Sequence, residues 1–292
     1  MRFYSKTYKT FQFFNYTCIA LLSLACILPL IHILAVSFSS RDAATANIVN
    51  FIPIDFTTAA YKETLGNNNF IRALLIGVQR TVLGTVLSLI VTMMAAYSLS
   101  KEQHRFRGRN IYSWYFIIIM LFHGGLIPTY LVVSGTGLMD SIWALVIPSA
   151  VNVWNMILML NFFRNLPQEL EEAALMDGAG HFRTLFSIFI PVSMPSVATI
   201  MLFTMVVHWN SWFDGILYMT KVEDYPLASF LHTIVVKENF SEVGVDLAAL
   251  HQISNRTVKS SQIFIGALPI LLVYPFLQKY FVKGIVLGSV KG

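Results

Sequence analysis

Residues 161–191 read NFFRNLPQELEEAALMDGAGHFRTLFSIFIP, from Asn161 to Pro191. The stretch is a polar island between two long apolar runs. Pro167 is placed to open a short helix at its first position, where a missing N–H costs nothing. Glu169 then lies in the first turn, where its charge meets the positive end of the helix dipole. Leu166, Leu170, Ala173 and Ala174 recur at i, i+3 and i+4 spacing and share one face. Gly178 is placed to end the helix in a left-handed cap. Beyond it Phe182, Leu185, Phe186 and Phe189 form a second apolar stripe, and Pro191 and Pro195 lead into the next run.

The charge of this island is unusual. Arg164 and Arg183 face four acids, Glu169, Glu171, Glu172 and Asp177. Helices lying on a membrane surface usually present Lys and Arg to anionic lipid. Glutamates suit basic groups on a protein partner, and Ala173 and Ala174 permit close approach. Partner docking is therefore the favoured reading, with an interfacial helix as its competitor.

The rest of the chain explains why an island is needed. Of 292 residues, 56% are hydrophobic and 12% charged, against about 25% charged in soluble domains. Too few charges remain to solvate a globular surface, and a mean hydropathy of +0.65 agrees. The chain reads as an all-α polytopic membrane protein. The net charge of +5 does not imply nucleic acid, because the basic residues cluster beside apolar runs. Cys18 and Cys26 sit about 12 Å apart on a helix, beyond the reach of a disulfide.

About 20 apolar residues cross the hydrocarbon core, and six segments qualify: 13–38, 73–98, 111–133, 142–163, 197–219 and 262–282. The first exceeds the apolar core of a cleavable signal peptide and is expected to be a retained span. Gly124, Gly125 and Pro128 interrupt the third, which is expected to be broken or bent. With both termini in the cytoplasm, 12 of the 20 basic residues fall inside and 10 of the 15 acids outside, in keeping with the positive-inside rule. Residues 1–12 form a cytoplasmic N-terminal segment, and 13–292 one transmembrane domain with a core over about 70–285. The Asn161–Pro191 loop, between spans four and five, is then cytoplasmic.

Within that loop, Glu172-Ala173-Ala174, three residues, Gly178, nine residues, Ile188, one residue and Ile190-Pro191 resemble the EAA motif of ABC importer permeases, E-A-A-x₃-G-x₉-I-x-L-P. The departure is Ile190 in place of Leu, apolar for apolar. Leu166-Pro167 through Asp177-Gly178-Ala179 resembles the carbohydrate, maltose-transporter-like branch. Gly124–Leu131 (GGLIPTYL) and Lys279–Gly284 (KYFVKG) are similar to permeases of oligosaccharide importers. The resemblance runs from about span two to the end. It implies a coupling helix on which Glu172 contacts an ATPase, Ala173 and Ala174 pack in its cleft and Gly178 makes the turn, with Asp177 among the ATPase-coupling residues. It implies further partners: a second homologous permease, two ATPase subunits, an extracytoplasmic solute-binding protein and membrane lipid. It places the chain as a multi-pass protein of the bacterial cytoplasmic membrane. The sequence has no G-x₄-G-K-[ST] loop, so ATP and Mg are expected on the partner ATPase and no cofactor in this chain.

Polar residues inside spans are costly and default to functional candidates. Asn152, Trp154 and Asn155 lie in span four, and His208, Trp209, Asn210 and Trp212 in span five, with Asp214 near its outer end. Aromatic faces beside amides suit sugars; interhelical hydrogen bonding is the alternative. Arg80, early in span two, is expected to snorkel to the outer interface, with lining an outer vestibule as the alternative. His123 precedes the glycines of span three, and the remaining histidines show no metal-ligand spacing. The outer loop from Lys221 to Ser261 touches the binding protein or is simply solvated.

Three other classes compete with an importer subunit. A proton- or ion-coupled secondary transporter of a small polar solute is expected to carry mid-depth acids or paired halves, and neither is visible. A membrane enzyme lacks a motif here. A scaffold protein leaves the EAA-like spacing to coincidence.

Overall fold

A computed structural model describes residues 6–122, 124–241 and 256–289. Every regular element among them is helical. His123, His251, Glu242 and Asp246 lie outside the described residues. Contacts divide the chain into two units, Met1–Ile71 with Thr233–Leu268 and Arg72–His232 with Pro269–Gly292.

In the first unit α1 spans Lys6–Ser37. Its side chains are exposed nearly all round until Ala35, Val36 and Ser37. A helix that is apolar on every face has lipid or another chain as its partner. Ser40 then caps α2 (Arg41–Thr45), its hydroxyl accepting from the Ala43 N–H at 3.3 Å. Ala43, Ala44 and Val49 close a small core on Ala35 and Val36. α3 (Ala59–Gly66) is tied to the later helix by a 2.5 Å hydroxyl pair, Thr64 with Ser261.

The second unit contains the function-bearing segments. α4 (Asn68–Ser100), an apolar helix of 33 residues, runs into it. The third expected span is two pieces, α5 (Arg109–Leu121) and α6 (Leu126–Gly135), with Gly125 at φ +87° before α6. The left-handed backbone there explains the glycine. Span four is also interrupted, which its hydropathy does not foretell. α7 (Ile142–Val146) runs through a 3₁₀ turn with Pro148 to Ser149, and α8 (Val153–Arg164) restarts at a 51° bend. Asn152 caps α8, accepting from the Asn155 N–H at 3.0 Å. α9 (Gln168–Met176) and α10 (His181–Val192) follow, and α11 (Met194–Asn210) leaves at 88° to α10. Span five therefore starts a little earlier than expected and stops at Asn210. After a break come α12 (Phe213–Tyr218), α13 (Leu227–Ser241) and α14 (Arg256–Ser289), which contains Pro269 and Pro275.

The core of this unit gathers Met93, Ala96, Tyr97 and Leu99 of α4 on Met156, Met159 and Phe163 of α8, with Leu185 and Phe189 of α10 and Ile200 of α11. It lies at the Ser100 end of α4. Tyr97, Phe163 and Phe189 meet edge to face with centroids 4.9–6.5 Å apart, a geometry favoured by the ring quadrupoles.

Candidate coupling site and polar helix breaks

α9 is a nine-residue helix with a complete stop signal. Pro167 sits one place earlier than its sequence suggests, at the cap, and Gln168 takes the first helical position. Gly178 is left-handed at φ +79°. Its N–H donates to Leu175 O at 3.0 Å and the Ala179 N–H to Ala174 O at 2.9 Å, the paired bonds of a Schellman motif. A Cβ on Gly178 meets nothing within 4 Å, so its φ and not its space demands glycine.

The single apolar face expected for this helix is divided. Leu166 and Ala174 turn into the chain, while Leu170 and Ala173 face outward. Ala174 is therefore small for the sake of packing within this chain. The second stripe divides too: Leu185 and Phe189 are buried, Phe182 and Phe186 exposed. A π-helical turn at Leu185–Phe189 shifts the register of α10 and explains the split. The outward surface combines Glu172, Ala173, Met176 (88% exposed) and Phe182.

The glutamates have different jobs. Glu172 is 56% exposed in its side chain, with Arg105 at 3.4 Å. Glu171 is turned inward against Lys101 at 2.7 Å, each side chain 9% exposed, with Arg105 at 3.6 Å. The Lys101 ammonium lies 3.6 Å from the Tyr97 ring centroid and 4.5 Å from that of Phe189. Burial holds that ammonium below the ordinary lysine value, and Glu171 pulls it back up. Lys101 thus fastens α9 to the end of α4 and to the π turn. Neither Lys101 nor Glu171 stood out in the sequence; the signal was the basic run 101–109 opposite an acidic loop. A recess of about 580 Å³ opens beside this brace, lined by Tyr97, Lys101, Arg105, His181 and Phe182.

The polar residues of spans four and five fall into two groups. Asn155 is buried, its Nδ2 donating to Thr204 Oγ1 at 3.3 Å across α8 and α11, which is the interhelical role. His208 is buried against Gly84, where a Cβ has no room beside the imidazole. Trp209 is half-buried near Gly77. Asn152, Trp154, Asn210 and Trp212 are exposed and lie beside the two helix breaks, 150–152 and 211–212. Trp212 stacks on His232 with centroids 3.7 Å apart.

Arg80 does not snorkel. It is 1% exposed, because α4 begins at Asn68 and Arg80 lies roughly 18 Å along it at 1.5 Å per residue. Its guanidinium donates to Ser211 O at 2.8 Å and pairs with Asp214. Asp214 in turn accepts from Ser211 Oγ at 3.0 Å and the Gly215 N–H at 2.9 Å. Ser229 Oγ donates to Trp212 O at 2.6 Å. Two carbonyls in the break after Asn210, those of Ser211 and Trp212, thus find donors within the chain, as an apolar surrounding requires.

No family model matches the chain. It is 38% identical over 289 residues to the polygalacturonan/rhamnogalacturonan transport system permease protein YtcP of Bacillus subtilis (strain 168), covering 97% of this chain and 99% of that one. It is 29% identical to the maltodextrin transport system permease protein MdxG of the same organism, over 95% of each. Among solved structures it resembles a chain from a bacterial ABC transporter involved in the import of the acidic polysaccharide alginate. The TM-score is 0.85 and the identity 32%, over 96% of this chain and 100% of that one. Near-complete coverage at this identity, with the helical architecture retained throughout, means that the chain belongs to the permease subunits of ABC transporters.

Proposed function

We propose that this permease forms half of the translocation pathway of a binding-protein-dependent importer for a sugar or oligosaccharide, and takes its drive from a separate ATPase through α9. One observation carries the coupling role: α9 is a stopped helix braced from behind by Lys101, with Glu172, Ala173 and Met176 turned outward. A helix fixed on its inner side and open on its outer side can pass a push inward without rotating. Saccharide as the substrate class is supported by relatives named for polygalacturonan/rhamnogalacturonan and maltodextrin transport.

In this reading the three continuous helices, the bent pairs α5–α6 and α7–α8, and α11 make six spans, with both termini in the cytoplasm of a bacterial cell. A second, homologous permease completes the pathway. Two ATPase subunits hold ATP and Mg, and a solute-binding protein delivers the sugar. Asn152, Trp154, Asn210 and Trp212 face the pathway, because helix breaks in a bilayer belong beside cavities or protein. Asn155, His208 and Trp209 hold the helices that present them.

The test is a pull-down of the solubilised full chain beside a variant lacking 168–178, with copurifying proteins identified by mass. An ATPase, a second permease and a binding protein retained by wild type, with the ATPase lost on deletion, is the expected result. A chain that captures no ATPase under any condition overturns the reading in favour of a secondary transporter.

A further inference from the structure

We propose that the recess where α4, α5, α8 and α9 meet binds the phosphate of an anionic membrane lipid. The site rests on the reading that these helices span a bilayer. The recess is about 340 Å³ and lies between Ser100, Arg109, Arg164 and Pro167. Four cations border it, Lys101, Arg105, Arg109 and Arg164, against two carboxylates, Glu102 and Glu171. Glu171 is already engaged by Lys101 and Arg105. Glu102 accepts from Gln168 Nε2 at 3.0 Å and lies 3.1 Å from His104.

Arg109 and Arg164 are left without a carboxylate among the described residues. Arg109 donates to Lys101 O and Arg164 to Leu99 O, each at 3.2 Å, and Arg109 Nε is buried with no partner. Those carbonyls occupy one donor on each guanidinium and leave the fork free for an anion. Two helix N-termini open at the same place, α5 at Arg109 and α9 at Gln168, and neither has a side-chain cap. The positive dipole ends add to the same preference.

Depth selects the anion's source. Ser100 ends α4, Arg164 ends α8 and Arg109 begins α5, so the recess opens where long apolar helices leave the hydrocarbon. Exposed Tyr112 and Trp114 follow within two turns, as aromatics do at headgroup level. Basic pockets between spans on this side are lipid-headgroup sites by the same electrostatics.

Native mass spectrometry of the full chain in detergent tests this, with phosphatidylglycerol and phosphatidylcholine of matched chains. Wild type is expected to retain phosphatidylglycerol over phosphatidylcholine. Each arginine contributes about fivefold, so Arg109→Gln with Arg164→Gln lowers the preference about 25-fold. Arg109→Lys with Arg164→Lys keeps most of it, and Lys279→Gln leaves it unchanged. If the double glutamine variant does not elute as a single species, the fivefold loss in Arg109→Gln alone decides. Absence of preference in wild type, or its survival in the glutamine variants, overturns the site. Displacement of the lipid by millimolar inorganic phosphate assigns the recess to a soluble anion and overturns the lipid. Micelles have no sides, so this result is independent of topology and of transport.

Discussion

Replacing Glu171 by Gln strands the Lys101 ammonium in the floor of the coupling segment. Both side chains of the pair are 9% exposed and 2.7 Å apart, so water screens them little. Removing one partner of a buried pair costs about 3–5 kcal/mol. The Tyr97 face under Lys101 returns about 1 kcal/mol of cation–π attraction, which places the loss near 3 kcal/mol. At about 2 °C per kcal/mol for a large domain, the solubilised chain melts roughly 6 °C lower. Lys101→Met costs less, about 1–2 kcal/mol, because Glu171 keeps Arg105 at 3.6 Å. The double variant Lys101→Met with Glu171→Leu is close to neutral, since apolar replacement of a buried pair often is. Melting followed by tryptophan fluorescence closes the cycle. In vesicles containing the assembled importer, Glu171→Gln is expected to retain ATP hydrolysis and lose most uptake, because α9 loses its fixed floor. Equal melting temperatures for the single and double variants refute the brace. Full uptake per ATP in Glu171→Gln refutes its part in coupling.

Glu172→Lys leaves stability within about 1 kcal/mol, because the Arg105 contact is exposed, but uncouples hydrolysis from uptake. Gly178→Asp acts similarly and adds about 1–2 kcal/mol for a side chain at φ +79°. Normal coupled uptake by both in the same vesicle assay sinks the assignment. In the membrane, Arg80→Met alone leaves Asp214 facing a helix break and costs about 3 kcal/mol or more, while Arg80→Met with Asp214→Leu recovers part of it; identical melting of the two variants counts against the pair. The Asp140 carboxyl accepts from the Thr220 N–H at 2.7 Å and its hydroxyl at 2.9 Å, and these bonds hold its pKa below the usual aspartate value. A depressed folded value stabilises this tether above the unfolded pKa, about 3.9. The tether is lost as pH falls through the lower folded value, whereas Asp140→Asn keeps an amide oxygen for both donors and removes the pH dependence; proteolysis of the 136–141 turn from pH 6 to 3 reads both.

Much of the molecule is present in its sequence because local rules govern it. Apolar runs of about 20 residues or more are helices, since only a helix pairs a run's backbone groups within the run itself. The stop at Gly178 follows from one residue's freedom at positive φ, and the broken third span from Gly125 in the same way. The spacing Glu172-Ala173-Ala174-x₃-Gly178 needs no partner from elsewhere in the chain to be recognised. The tertiary structure decided what depends on residues distant in sequence. Ala174 is inward and Ala173 outward because α9 is fastened against the end of α4 through Glu171 and Lys101. Glu171 and Glu172 are neighbours of one chemistry, yet only packing against Lys101 separates a buried brace from an exposed contact. Arg80 reads as an interfacial arginine until Asp214 and Ser211, more than 130 residues away, are brought beside it. The break after Asn210 has the same cause: a carbonyl leaves its helix in an apolar medium only where tertiary packing supplies another donor.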